Sequence, residues 1–162
     1  MATSPTASDP ISIEIPCLVI SPRVETHASL GPSLYSAKGK VRQARDCQEA
    51  CQALRQNTVA VVLAETDLPD GGWRDLLILL ASDPSRPKLV VLLDAGQEDY
   101  RAQLISHGAF DAVPLRAAPA LVVSAVTAAY LAWLRERWMT LAARQSSHAA
   151  AAAAAGGPIT IQ

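Results

Sequence analysis

Six consecutive apolar residues, Val59 to Ala64, end abruptly at an acid, Glu65. A run this short, rich in β-branched side chains and lacking polar alternation, suits a strand buried on both faces. The next eight residues are just as constraining: Leu68 and Pro69 set a turn, Gly71 and Gly72 release the backbone, and a helical pattern begins at Trp73. The strand thus delivers a carboxylate to its own C-terminal end, where open α/β sheets build their sites.

The same unit recurs along the chain. Cys17 to Ile20 is a short apolar run followed by Ser21 and Pro22, a helix-start pair with serine at the N-cap and proline at the first helical position. Val24, Ala28, Gly31, Leu34 and Tyr35 then recur at helical spacing, with Gly31 and Pro32 expected to kink or shorten the helix. Val41 to Ala44 is a weaker strand, suited to a sheet edge. Asp46 and Glu49 have capping-box spacing, and Cys47, Ala50, Cys51 and Leu54 line one face behind them. Trp73, Leu76, Leu77 and Leu80 mark a third helix that stops before Pro84. Leu89 to Leu93 is a fourth strand, again ending at an acid, Asp94. Tyr100, Leu104 and Ile105 place a helix before Gly108, which suits the C′ position. Phe110 to Pro114 reads as a fifth strand, and a long helical pattern runs from Pro119 to about Gln145.

Five strand-and-helix units imply a parallel sheet covered on both faces and joined by right-handed crossovers. The expected fold class is α/β: a flavodoxin-like, doubly wound, five-stranded parallel sheet of order 2-1-3-4-5 with an extended C-terminal helix. Residues 14–134 form the domain, 135–148 a helix extension, and 1–13 and 149–162 disordered tails.

Several chemistries are excluded by motif. No Walker-type or dinucleotide-type glycine loop is present, nor an H-E-x-x-H or a paired C-x-x-C. His27, His107 and His148 are isolated in sequence and read as surface or helix-end residues. Cys17, Cys47 and Cys51 are an odd set without a framework spacing, which fits reduced thiols in a cytoplasm. The formal net charge of −1 gives no basic field for nucleic acid. Ala117 to Leu134 is uncharged and about long enough to cross a bilayer, but its amphipathic stripe fits burial against a sheet better, so no membrane partner is expected.

There remains the set of residues at the C-terminal strand ends. Here Glu65-Thr-Asp-Leu-Pro-Asp-Gly resembles the segment around the phospho-accepting aspartate of bacterial response-regulator receiver domains, in which the acceptor precedes a proline by four residues. The spacing from Asp94 to Gly108-Ala109 also resembles that family. The resemblance covers roughly residues 15–134. It implies that Ser21 and Pro22 stand at the positions of the Mg²⁺-binding acidic pair, Glu65 at the acceptor, Asp94 at the switch hydroxyl and Leu115 at the switch lysine. No key position keeps the family residue.

The implied function is a stand-alone, degenerate receiver that acts as a phosphorylation-independent protein-interaction module in two-component (phosphorelay) signalling. It would be no enzyme, hold no metal or cofactor, and bind a protein of such a pathway. The alternatives are a weakly active phospho-accepting regulator and a small-ligand-binding flavodoxin-like module. Two readings of Glu65 stay open: a permanent mimic of the phosphorylated state, or a solvated carboxylate. A mimic needs a cation, and Arg116 would supply it if the fifth strand slipped by one residue. Asp94 on the same rim would raise the pKa of one carboxyl. Asp67 and Asp70 read as solvent-facing turn and cap residues. Leu131, Leu134, Trp138 and Leu141 form an a/d stripe over barely two heptads, an interaction surface suited to a homodimer through the last helix.

Overall fold

A computed structural model describes residues 14–156; the N-terminal tail 1–13 and residues 157–162 lie outside the described part. The five sheet strands are β1 (Ile15–Ile20), β2 (Gly39–Ala44), β3 (Val61–Glu65), β4 (Lys88–Leu93) and β5 (Asp111–Pro114). They pair in parallel in the order β2-β1-β3-β4-β5, which is the expected doubly wound arrangement with β2 at an edge.

Strand periodicity sorts the core into two layers. Leu18, Ile20, Val62, Ala64, Leu89, Val91 and Leu93 share one cluster with Ala50 and Leu54 of α2 (Cys47–Gln56), Trp73, Leu76 and Leu80 of α3 (Trp73–Ser82), and Leu104 of α4 (Arg101–Ser106). The alternate residues Cys17, Val19, Val61, Leu63, Val90, Leu92 and Val113 face Leu30 and Leu34 of α1 (Val24–Ser36) and the inner stripe of α5 (Pro119–Ala155). Successive side chains of a strand point to opposite faces, so an all-apolar strand demands helices on both. All five residues of β3 are buried.

Four local expectations need correction. Ser21 does not cap α1: the helix starts three residues on, at Val24, with Arg23 at the N-cap and no side-chain capping bond, and the Ser21 hydroxyl oxygen instead accepts the Arg23 N–H. The inner face of α1 is Thr26, Leu30, Ser33 and Leu34, while Val24 and Tyr35 point into solvent. The helix also runs its full length through Pro32. Finally, α5 does not end near Gln145 but continues to Ala155, so residues 149–155, expected to be disordered, are helical. Alanine is the strongest helix former, and no glycine or proline interrupts the run before Gly156.

The segment between β3 and α3 is a two-residue ribbon in which Asp67 pairs with Gly72 and Leu68 with Gly71. Its tip reaches the start of α2. Asp70 accepts the backbone N–H groups of Cys47 (2.8 Å) and Gln48 (3.0 Å), and Asp46 accepts that of Glu49 (2.7 Å). Three otherwise orphaned donors of α2 are thereby satisfied, two of them from outside the helix. The Glu49 carboxylate completes the arrangement by accepting from the Arg45 N–H (2.8 Å), one residue before the expected partner. Gly71 sits where a Cβ would come within 2.9 Å of the Asp75 carboxylate and 3.3 Å of Cys47 Sγ, so a side chain there would have to push the Asp75 carboxylate off the Gly72 N–H. At the end of α4, Gly108 occupies C′ with φ +118°, as its position predicts.

Asp46→Ala should lower the unfolding free energy by about 1 kcal/mol. Urea titration should show an earlier midpoint with an unchanged slope, and Asp46→Asn should retain most of the stability.

Candidate functional site

The strand tops bring Ser21, Glu65 and Asp94 together as the sequence predicts, and add a residue that sequence reasoning missed. Glu65 closes the buried β3 and is only 4% exposed. A solvated carboxylate is therefore not what this position holds. A charge so placed must be matched by donors, since burial alone strongly disfavours ionisation.

Four donor groups converge on it. The Ser21 hydroxyl, from the end of β1, donates to Oε1. Thr26, one turn into α1, donates its hydroxyl to the same oxygen at 2.7 Å. Arg23 supplies the rest: Nε lies 2.9 Å from Oε2 and 3.2 Å from Oε1, and Nη2 is 2.5 Å from Oε2. The same Nη2 reaches Asp94 beyond β4, at 3.0 Å from Oδ1 and 3.3 Å from Oδ2. One guanidinium thus bridges two carboxylates on neighbouring strand ends. Its planar fork suits this double contact in a way a lysine would not.

Burial pushes the Glu65 carboxyl upward, but the bonds from Arg23, Ser21 and Thr26 outweigh it and hold the pKa below the ordinary glutamate value. The rise expected from two acids on one rim is not what Glu65 shows: its carboxyl is held low, with the guanidinium lying between it and Asp94. Contacts to Glu65 and Asp94 in turn raise the pKa of Arg23, so it stays charged.

The backbone around the site is tied down as well. Ser21 is fully buried, and its Oγ accepts the Arg23 N–H at 3.0 Å. His27 Nε2 is 2.8 Å from the Ser21 carbonyl. Thr66 is buried beside Glu65, its hydroxyl 3.3 Å from Gln97 Oε1, which also accepts the Asp94 N–H at 3.0 Å.

Arg116 plays no part in this network. Pro114 stands in register with Leu93, and the Leu115 N–H bonds the Leu93 carbonyl, so β5 has not slipped. Leu115 packs against the core, and Arg116 projects from the turn that bonds Ala117 N–H to Pro114. Arg23 takes the role expected of it. Pro22, beside it, offers no side-chain ligand atom. The signal available in sequence was an arginine one residue past the predicted helix start, on the same rim as Glu65.

Mg²⁺ requires near-octahedral oxygen ligands and usually one or two free carboxylates. Here the Glu65 oxygens are saturated by a guanidinium and two hydroxyls, and a cationic side chain already lies between the two acids. Among the described residues no group of three or more His, Cys, Asp or Glu could hold a metal ion. The donor set does not fit the divalent ion that the family resemblance implies.

Glu65's lowered pKa makes its contribution to stability fully present above pH 4.5 and lost as pH falls through the folded-state value. Arg23→Met should cost about 1–3 kcal/mol at neutral pH, at the lower end because the guanidinium is partly solvated. The gap between wild type and variant should narrow on acidification, as followed by urea titration at several pH values. Asp94→Asn, at the exposed end of the bridge, should cost less than about 1 kcal/mol.

No protein-family model matches the chain, and no curated protein matches it in sequence. Solved structures do match. A response-regulator receiver-domain protein from Clostridium thermocellum superposes with a TM-score of 0.65 at 18% identity, over 77% of this chain and 98% of that one. The signal receiver domain of a LuxO repressor protein from Vibrio parahaemolyticus gives 0.70 at 13% identity, over 78% and 98%. The beryllofluoride-activated receiver-domain dimer of NtrC4 gives 0.66 at 16% identity, over 73% and 98%. At these identities the likeness concerns architecture: the chain has the fold of the response-regulator receiver domains.

Proposed function

We propose that this chain is a protein-interaction module of two-component signal transduction whose receiver-like site is set by its own arginine instead of by phosphoryl transfer. The observation that carries this reading is the Arg23 guanidinium between Glu65 and Asp94. Receiver chemistry needs a divalent ion to neutralise the incoming phosphoryl group. Here the rim has a serine and a proline where the acidic pair would stand, and its positive charge is an immovable part of the chain. Glu65 is then a carboxylate held in a fixed ion pair, the arrangement expected of a permanent mimic of the phosphorylated state.

On this reading the chain is not an enzyme and its output is a contact surface for a protein of such a pathway. Reduced Cys17, Cys47 and Cys51 suit a cytoplasmic setting. The net charge of −1 supports no nucleic-acid role, and among the described residues no helix is long and apolar enough to cross a membrane. A weakly active phospho-acceptor would need the Glu65 oxygens that Ser21, Arg23 and Thr26 already occupy. A nucleotide- or flavin-binding module would need a glycine-rich phosphate cradle, which the strand-to-helix turns lack.

Incubation with a small phosphoryl donor and Mg²⁺ should leave the intact mass unchanged. Mg²⁺ titration should leave tryptophan emission flat, although Trp73 opens α3 directly behind the ribbon. Mg²⁺-dependent, stoichiometric phosphorylation of Glu65 would overturn the proposal.

A further inference from the structure

Trp133 is the last residue of α5 that the domain buries; its indole N–H donates to the Ser85 carbonyl at 2.7 Å, and Glu136 pairs with Lys88 one turn on. From Leu134 to Ala155 every residue is exposed. That overhang is about 33 Å of helix. It does not carry the polar surface such a helix needs in water. Leu131, Leu134, Trp138 and Leu141 are 60%, 38%, 75% and 45% exposed, and they share a face roughly 120° away from the Trp133 face. Continuing their three-four spacing, the same stripe passes through Gln145 and His148 to Ala152 and Ala155. The first half of the stripe is bulky and apolar; the second half runs from the polar Gln145 and His148 to the small Ala152 and Ala155.

We infer that α5 pairs with the α5 of a second copy, antiparallel, with the bulky first half of each stripe seated on the second half of the other. The inference goes beyond the signalling reading and does not depend on it. A two-fold axis near residue 143 sets Leu131 against the partner's Ala155 and Leu134 against the partner's Ala152. It also sets Trp138 against the partner's His148 and Leu141 against the partner's Gln145. The outer layers set a leucine on an alanine and the inner ones set Trp138 on the flat His148 ring and Leu141 on the stem of Gln145, so each large apolar side chain meets a smaller one and the layers can close-pack. An isologous contact of this kind closes on itself and stops at two copies.

The parallel alternative fails on three counts. It would set Trp138 against Trp138 in a single layer and leave alanine facing alanine with nothing to fill the gap. It would stack Arg135 beside its own copy, an excess of positive charge that Glu136, already paired with Lys88, does not offset. It would also force both domains to one end of the rod. In the antiparallel register Arg135 lies beside the uncharged residue 151 of the second copy, Arg137 stays over the Trp133 ring, and Arg144 is near its own copy in either arrangement.

Sedimentation equilibrium of the intact protein should show a monomer–dimer equilibrium at tens of micromolar. Leu134→Glu and Ala152→Lys alter exposed positions, so at concentrations low enough for wild type to be monomeric each should show the wild-type circular dichroism and melting temperature. Each should weaken dimerisation at least about tenfold. The decisive measurement is the mixture: Glu at position 134 of one copy faces Lys at position 152 of the other, so mixing the two variants should restore the dimer as a heterodimer. A wild-type monomer at these concentrations, a variant that dimerises as well as wild type, or a mixture no more associated than its components would each overturn the inference.

Discussion

A carboxylate placed at the end of a fully buried strand cannot be left to water, and the top of this sheet is built around that constraint. Glu65 is reached by donors from the end of β1, from the loop that follows it and from the first turn of α1. Removing any one leaves a buried charge less well matched, so the set is coupled, and its members cannot be assigned separate energies. Whether the pair adds net stability over an apolar pair is a separate matter. Buried ion pairs often only break even against desolvation, while the loss of one partner is expensive. The network therefore does more to fix geometry than to strengthen the fold. It ties the tops of β1, β3 and β4 through a single guanidinium.

A second set of bonds holds the neighbouring loop. The ribbon after β3 returns its tip to α2, where Asp70 takes the N–H groups of Cys47 and Gln48, and those bonds hold the Asp70 pKa below its ordinary value. Asp75 accepts the Gly72 N–H at 2.9 Å at the start of α3. The loop that carries Glu65 into α3 is thus anchored at both ends to helix termini. The bonds at the ribbon tip are donated by α2 and the one at Gly72 by the ribbon itself, so the loop is tied to both helices. Together with the fixed arginine, this favours a rim with one preferred arrangement, as a constitutive module would need.

The sheet was legible because buried parallel strands announce themselves as apolar runs. The acid at the end of β3 gave away the rim. Illegible were the features that depend on polar groups being buried because they are bonded. Thr26 and Ser33 lie on the inner face of α1, yet a search for apolar periodicity discards them and selects Val24 and Tyr35. Thr26 is inside because Glu65 is, and that link spans 39 positions of sequence. Arg23 escaped for a related reason. Spacing ranks residues by where the backbone puts them, whereas a guanidinium acts several ångströms from its own Cα, here across two strand ends. Asp70 reads as a cap from its turn context, but the helix it caps is α2, on the other side of the crossing.

The two ends of the molecule stand in opposite conditions. At the strand tops the charged groups are matched internally, and little is left over to recruit an ion or a ligand. Along the outer half of α5 little is matched: beyond the Glu136–Lys88 pair and the Arg137 guanidinium over the Trp133 ring, large apolar side chains stand exposed on a single helix. An isolated helix of this length is marginal in water, and most helical stability in proteins comes from packing one face. The extension thus has both a reason to find a surface and a shape that selects one. Its large and small halves fit each other only when reversed, so the sequence that makes the helix continuous through its alanines also sets the direction of the pairing.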